Sequence, residues 1–427
     1  MSLLLSCRKE LILSALLVAF PNLVWSQNTV VPQGIESSLS GALNGDQVHP
    51  SLSLNENGGY VVWEENGSAK TGSEIRAVKL NSSLVKISSF AVNKVFKGDQ
   101  RKPQVQMLAN GNTIFVWESF GLGNADIYAR ILKADDTFAT SDIRVNSFSK
   151  VKNSPSKDQQ SEPVVTALQD GSALVVWQSY NQDGEMMGIF ARKISADGKM
   201  SSGEFQVNQT TSYNQRSPAV ATLANGNFII LWISEMQRFG NGASPDQASV
   251  DVYGRLFNAS GEPVSDELLL NSGNNLCANP SVAALSSGGF TAVWSEKDSL
   301  VRTNSWDIAG RSFNSEGLGV GADFKINSHA YGDQYRPRIA TVGNDCVVVW
   351  TSLGQDGSRE GVFGRLLQTG TEPAGPEFRA NTRTVSKQLF PAVASSGTDR
   401  FLVGWSGFVA ISGFDLFGQK YFLNQPQ

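Results

Sequence analysis

Short apolar runs recur along the chain, and seven of them end in tryptophan. The runs are rich in Val, Ile, Leu and Phe, and clusters of Gly, Asn and Asp separate them. No segment keeps an apolar period of 3.6 residues, so the pattern predicts strands and hairpins rather than helices. Neighbouring members of the Trp series lie 54 to 62 residues apart: Trp63, Trp117, Trp177, Trp232, Trp294, Trp350 and Trp405. Such a period is typical of a repeat fold.

Each repeat contains four strand-like segments. The first opens near a proline and the second ends in the Trp. The third ends in Arg, as in Asp251–Arg255, and the fourth ends in Asn, as in Glu204–Asn208. Four antiparallel strands make one propeller blade, and radial repetition protects the sheet edges. The sequence therefore predicts an all-β, seven-bladed β-propeller that forms a single domain over residues 27–427.

The spacing also predicts how the ring closes. The third-strand Arg and the fourth-strand Asn are 16 residues apart, and Gln419 stands at the Arg position of the seventh repeat. The last fourth strand would then end beyond residue 427. Counting back from Gln47 aligns residues 34–40 with the fourth-strand pattern. We expect this N-terminal segment to complete blade seven, which removes an open sheet edge.

Residues that recur once per blade are expected to serve the scaffold. The Trp strands are continuously apolar, as strands buried on both faces are, so the seven Trp are interpreted as inter-blade core. A buried Arg needs carbonyl or carboxylate partners, and the third-strand arginines are interpreted as structural for that reason. These are Arg130, Arg192, Arg255, Arg311 and Arg365.

The N-terminus reads as a secretory signal over residues 1–26. Arg8 and Lys9 precede an apolar stretch that is too short to span a bilayer, and no later stretch is long enough either. We therefore expect a secreted, periplasmic or cell-surface protein with no transmembrane segment. In the mature chain only Cys277 and Cys346 remain, and they either pair or persist as two thiols.

Composition and motifs narrow the candidate functions. The net charge is −4 and no basic stripe is present, which argues against a nucleic-acid partner. The two histidines lack metal-ligand spacing, and no catalytic motif is found, so no cofactor, metal or catalytic residue is predicted. This favours a non-enzymatic role. An acid–base pair assembled from different blades would escape such a search.

Loop lengths predict which face binds. The hairpins between first and second strands and between third and fourth strands hardly vary. Insertions fall in the other two connections, which emerge on one face, here called the elaborated face. Variable loops on a rigid scaffold usually carry function. The longest insertions, in blades four and five, supply the predicted binding residues: Met236, Arg238, Phe239, Arg302 and Trp306.

The consensus resembles a repeat of secreted and surface β-propellers of bacteria. Its pattern is L-x-x-G-G-F-x-V-V-W, then Q-D-G, I-F-x-R, E-F-x-V-N and D-Q. Gln169–Asn208 and Val342–Asn381 show it well. The resemblance implies an extracytoplasmic propeller, often associated with adhesion-like proteins. It brings no catalytic residues to this chain.

Three hypotheses follow from the sequence. The first is a monomeric binding or adhesion-type protein whose elaborated face engages a protein or a glycan, with Trp306 as an exposed aromatic anchor. The second is a hydrolase or lyase acting on polysaccharide at the central channel. The third is a structural surface protein. A pocket on the axis lined by convergent acidic residues or by Arg would favour the enzyme.

Overall fold

The computed structural model describes residues 28–41, 43–67, 72–121, 124–148, 159–238, 249–298 and 305–424. These residues form 28 strands and no helix. The strands assemble into seven four-stranded sheets, which confirms the predicted seven-bladed β-propeller. The predicted signal peptide lies outside the described residues.

The first strands of neighbouring blades contact one another around the axis. Blades one to three contain β2 (Asp46–Asn55), β3 (Gly58–Asn66), β4 (Glu74–Leu80) and β5 (Lys86–Ala91); β6 (Gln100–Met107), β7 (Thr113–Ser119), β8 (Asp126–Leu132) and β9 (Ile143–Arg144); and β10 (Gln160–Ala167), β11 (Ala173–Tyr180), β12 (Met187–Ile194) and β13 (Phe205–Gln206). Blades four and five contain β14 (Gln215–Thr222), β15 (Phe228–Glu235), β16 (Val250–Phe257) and β17 (Leu268–Leu269); and β18 (Leu276–Ala284), β19 (Phe290–Lys297), β20 (Asp307–Phe313) and β21 (Gly319–Lys325). Blades six and seven contain β22 (Gln334–Val342), β23 (Asp345–Leu353), β24 (Glu360–Gln368) and β25 (Glu372–Arg379); and β26 (Gln388–Ser395), β27 (Arg400–Val409), β28 (Gly413–Asn424) and the N-terminal β1 (Thr29–Ser38).

The hydrophobic core lies between the blades. The Trp of each second strand is at most 1% exposed. In blade four, for example, Trp232 packs with Leu174 and Val176 of blade three. The core therefore consists of blade-to-blade contacts, and each Trp fills one of them.

In blades two to six, two polar side chains tie the outer strands together. The third-strand Arg192 donates from Nε to the carbonyl of Ser202 in its own blade, 3.0 Å away, and from Nη1 to the carbonyl of Val145 in the preceding blade, 2.8 Å away. The fourth-strand Asn208 accepts from the backbone N–H of Ile189 at 2.7 Å. The same Arg and Asn bonds recur in other blades. These groups satisfy buried backbone atoms that would otherwise lack partners.

The N-terminal strand occupies the outer position of blade seven. Strand β1 pairs antiparallel with β28, from Thr29 opposite Asn424 to Ser38 opposite Phe417. The strand therefore begins and ends earlier than residues 34–40, because β28 is long enough to pair through Asn424. Ser40 still takes the predicted Asn position, since its Oγ accepts from the Leu416 N–H at 3.4 Å.

Cys277 and Cys346 are both free and buried. They lie in different blades, on β18 and β23. Burial raises the pKa of Cys346 to about 12 and that of Cys277 well above its usual range. Of the two alternatives left by the sequence, the structure shows unpaired thiols. No helix long and apolar enough to cross a membrane occurs among the described residues.

Candidate functional site on the propeller axis

The first strand of every blade is bulged at the residue before its proline. All seven of these residues have a positive φ, between 48° and 56°. Such a backbone costs about 1–3 kcal/mol for a residue other than glycine, and it is concentrated at functional sites. We call these seven residues the axial ring: His49, Lys102, Glu162, Ser217, Asn279, Arg336 and Phe390.

In four of the seven bulges, the residue that follows the Trp of the preceding blade accepts a hydrogen bond from the backbone N–H of the bulged residue. Glu118 accepts from the backbone N–H of Glu162 at 2.7 Å, and Gln178 accepts from that of Ser217 at 2.9 Å. The backbone N–H groups of Lys102 and Arg336 are held in the same way. A bulge frees its residue from strand pairing and re-aims the side chain. The scaffold thus presents seven side chains from one repeated backbone position.

The axial ring lines a cavity of about 320 Å³ on the propeller axis. Its members are the third or fourth residues of their strands. The cavity therefore lies at the end of the propeller where the blade-to-blade connections enter and where second strands pass into third strands. That end is the elaborated face defined by the loop lengths.

One side of the cavity holds a lysine between two glutamates. Lys102 Nζ pairs with Glu162 and lies 3.6 Å from Glu118 Oε1. Burial alone would lower the pKa of Lys102, but the two carboxylates raise it above its usual value. Burial raises the pKa of Glu118. The Glu118 side chain is 3% exposed, whereas the Glu162 side chain is 42% exposed. Glu162 and Lys102 therefore face the cavity, and Glu118 supports them from behind.

The next side of the cavity combines a histidine with an aromatic ring. His49 Nδ1 lies 3.2 Å from Glu64 Oε2, and because a carboxylate only accepts, Nδ1 carries the proton of this hydrogen bond; in the neutral imidazole Nε2 is then the proton acceptor. The His49 ring lies 4.3 Å from that of Phe390, and the Arg336 guanidinium lies 4.8 Å from the same Phe390 ring. A base, an aromatic surface and a cation therefore follow one another around the cavity wall.

Arg338 adds a second arginine to blade six. Its side chain is exposed to solvent inside the cavity, although the first strands of the blades enclose it. Burial lowers the pKa of Arg338, the neighbouring Arg336 lowers it further, and Glu162 opposes both effects. Neither Arg336 nor Arg338 forms an ion pair with another described residue.

The predicted binding residues do not form one exposed wall. Arg238 is engaged within blade four, where its Nη2 lies 2.6 Å from Asp251 and its Nη1 donates to the carbonyl of Gly273. Trp306 is half-buried, and its backbone holds Asp333 and Gln334 of the next connection. Met236 is also half-buried. Phe239 and Arg302 lie outside the described residues.

The sequence contained a signal for the axial ring. Seven prolines recur at one position of the repeat, and the residue before each proline is different in every blade. Motif searches missed this because they look for chemistry that is continuous along the chain. Pre-proline residues are also expected to be extended, so sequence rules did not predict a positive φ there.

Comparison with known proteins identifies the fold. No protein-family model and no curated protein sequence matches the chain. A protein of unknown function from Dyadobacter fermentans has a similar structure, with a TM-score of 0.54, 11% identity and coverage of 92% of this chain and 99% of that one. The GH93 α-L-arabinofuranosidase of Fusarium graminearum has a TM-score of 0.54 at 14% identity, covering 78% and 96%. The polysaccharide lyase Uly1 has a TM-score of 0.53 at 9% identity, covering 89% and 90%. At such identities the likeness is one of fold.

Proposed function

We propose that this protein is an exported enzyme that cleaves polysaccharide, with its active site in the axial cavity. The observation that carries the proposal is the axial ring. The Trp position keeps one residue type in all seven blades and the Arg and Asn positions keep theirs in five and six, whereas this position brings acid, base, cation and aromatic side chains to one cavity. Perturbed, strained and chemically diverse groups in a cleft are the usual mark of an active site.

The elaborated face around the cavity also suits a sugar polymer. Four aromatic side chains at its connections and strand ends are solvent-exposed, at 38% to 81%: Phe96, Tyr213, Tyr331 and Phe408. The two tyrosines also carry a polar hydroxyl, which suits a surface that is half apolar and half wet, as a sugar ring is. A glycan chain that crosses the face would place one unit in the cavity and its neighbours on this rim.

The similar structures support the same proposal. The Fusarium graminearum neighbour is an α-L-arabinofuranosidase in complex with arabinobiose, and Uly1 is a polysaccharide lyase. The adhesion hypothesis has less support, because Arg238 is engaged in an internal ion pair and Trp306 is half-buried. Glycan binding without cleavage remains the second candidate, and the exposed aromatic rim favours it.

The test is the appearance of new reducing ends. Residues 27–427 would be incubated with a panel of neutral and acidic polysaccharides. We expect cleavage of at least one polymer, and loss of that activity in Lys102→Asn, since Asn279 shows that the ring accommodates Asn at a positive φ. Glu162→Gln should lose activity as well.

The matched control is Glu316→Gln. Glu316 is an exposed glutamate in the third-to-fourth-strand hairpin of blade five, on the opposite face. This variant should keep full activity. Absence of new ends from every polymer, or activity that is indifferent to both cavity variants, would refute the proposal. Bound polymer without new ends would point to the binding candidate instead.

A further inference from the structure

The cavity carries an excess of positive charge. Its described lining includes three cationic side chains, Lys102, Arg336 and Arg338, and a single carboxylate, Glu162. The whole chain has a net charge of −4, so the excess is local to the cavity. Glu162 already pairs with Lys102, which leaves the two arginines without a carboxylate partner among the described residues. Unpaired cations in a confined space favour an anionic ligand.

Arg338 is placed to bind a carboxylate. A guanidinium has five N–H donors, and the bond that Arg338 makes to protein runs from Nη1 to the carbonyl of Pro337, at 3.0 Å. The remaining donors face solvent within the cavity. Arginine matches planar carboxylates through two parallel hydrogen bonds, and Arg336 adds a second positive charge two residues away.

The same lining is poorly suited to ordinary glycoside hydrolysis. That reaction uses two carboxyl groups on opposite sides of the scissile bond. Glu162 is the one carboxylate among the described lining residues. Glu64 and Glu118 lie behind the cavity lining, with side chains 6% and 3% exposed. The side chain at the cavity wall that can accept a proton through a ring nitrogen is His49, whose other ring nitrogen contacts Glu64.

We infer that the substrate is a uronate-containing polysaccharide and that it is cleaved by β-elimination. This inference rests on the proposed function. Arg336 and Arg338 bind the C6 carboxylate and stabilise the negative charge that develops on it. Such electrostatic stabilisation in a confined site is usually a large part of catalysis.

The bond changes are those of an elimination. Nε2 of His49 takes the proton from C5, the electron pair of that bond forms the C4=C5 double bond, and the C4–O bond breaks. The departing oxygen takes a proton from water, and the His49 imidazolium returns its proton to water. No further reactant is needed, and Glu64 is a positioning residue that holds the imidazole.

The experiment follows the product as well as the rate. Polygalacturonate and alginate would be incubated with residues 27–427, and the products read by the ultraviolet absorbance of the conjugated double bond and by mass. We expect unsaturated ends on at least one of them, with no cleavage of the same polymer after its carboxyl groups are reduced. Hydrolysis would instead give saturated products that are heavier by one water.

Variants separate the roles. Loss of a general base lowers the rate by about 10²–10⁴-fold, so His49→Asn should reduce kcat by that factor. Arg338→Gln should lower kcat/KM by about 10²–10³-fold on the uronate polymer. Arg379→Gln, an exposed arginine on the outer strand of the same blade, is the control and should change neither parameter.

The outcomes distinguish this inference from the proposal beneath it. Saturated reducing ends, cleavage of neutral polymers alone, or equal cleavage of the carboxyl-reduced polymer would overturn β-elimination on a uronate while leaving a polysaccharide-cleaving enzyme. Absence of new ends from these two polymers and from every polymer of the neutral and acidic panel would overturn both. An Arg338→Gln variant with full kcat/KM would overturn the carboxylate site.

Discussion

Two tryptophans in adjacent blades offer a matched test of how the core is satisfied. Trp177 and Trp232 are both 0% exposed and occupy the same position of the repeat. Nε1 of Trp177 donates to Gln160 Oε1 at 2.9 Å, whereas the indole N–H of Trp232 has no partner among the residues that the structure describes. The two side chains therefore differ in one hydrogen bond and occupy equivalent apolar interfaces between neighbouring blades. Replacing each with Phe isolates that difference.

The expected effects can be worked out from those contacts. Both substitutions remove similar ring surface. Trp177→Phe also leaves Gln160 Oε1 buried without a donor, at a cost of about 1–3 kcal/mol, while Trp232→Phe removes an unpaired buried donor of similar cost. The Trp177 variant should therefore be less stable than the Trp232 variant by about 2–6 kcal/mol.

Chemical denaturation followed by circular dichroism measures the difference directly. For a chain of 427 residues the entropy of unfolding is about 0.9 kcal/mol per degree, so 3 kcal/mol corresponds to roughly 3 °C in Tm. Equal losses in the two variants, or a larger loss in Trp232→Phe, would refute the reasoning. The Trp would then stabilise the propeller through its surface alone.

Three further predictions concern the scaffold. Arg192→Ala removes donors from two carbonyls and should lower the free energy of unfolding by about 2–4 kcal/mol in chemical denaturation. Arg192→Gln should lose less, because Gln419 serves at the same position in blade seven. Equal losses in the two variants would contradict a structural role of the Arg192 hydrogen bonds. Burial raises the pKa of Glu65, so the native state holds that proton to higher pH than the unfolded state, and stability falls as the pH rises above 4.5. Glu65→Gln should flatten this fall when melting is measured as a function of pH. An unchanged slope would contradict the role of Glu65 in the pH dependence. Cys277 and Cys346 should resist a thiol reagent in native protein and both react after unfolding.

The scaffold could be predicted from the sequence because each structural task uses the same residue in blade after blade. The Trp fills the inter-blade core in all seven blades, and the third-strand Arg and fourth-strand Asn make the same contacts in blades two to six, so they appear as a period. The spacing even placed Ser40 at the Asn position of blade seven. The end of β1 was less predictable, because its length depends on how far β28 extends.

The axial ring could not be predicted in the same way. Its members come from seven blades and share a backbone position rather than a residue type, so no period in residue identity marks them. The loop lengths predict binding on the face that also holds the axial ring, but they favour Arg238 and Trp306, because the longest insertions carry those residues. Arg238 instead satisfies Asp251 within its own blade, which sequence spacing does not reveal.

The bulge explains why one position can vary so freely in so regular a fold. A bulged residue takes no part in the cross-strand register, and its side chain points to the axis instead of the inter-blade core. Exchanging Lys102 for Asn therefore removes charge from the cavity without touching the Trp packing. Chemistry and stability are thus separated along the chain: the strained residue before each proline is free to meet the substrate, while the Trp, Arg and Asn of the same blade hold the ring closed.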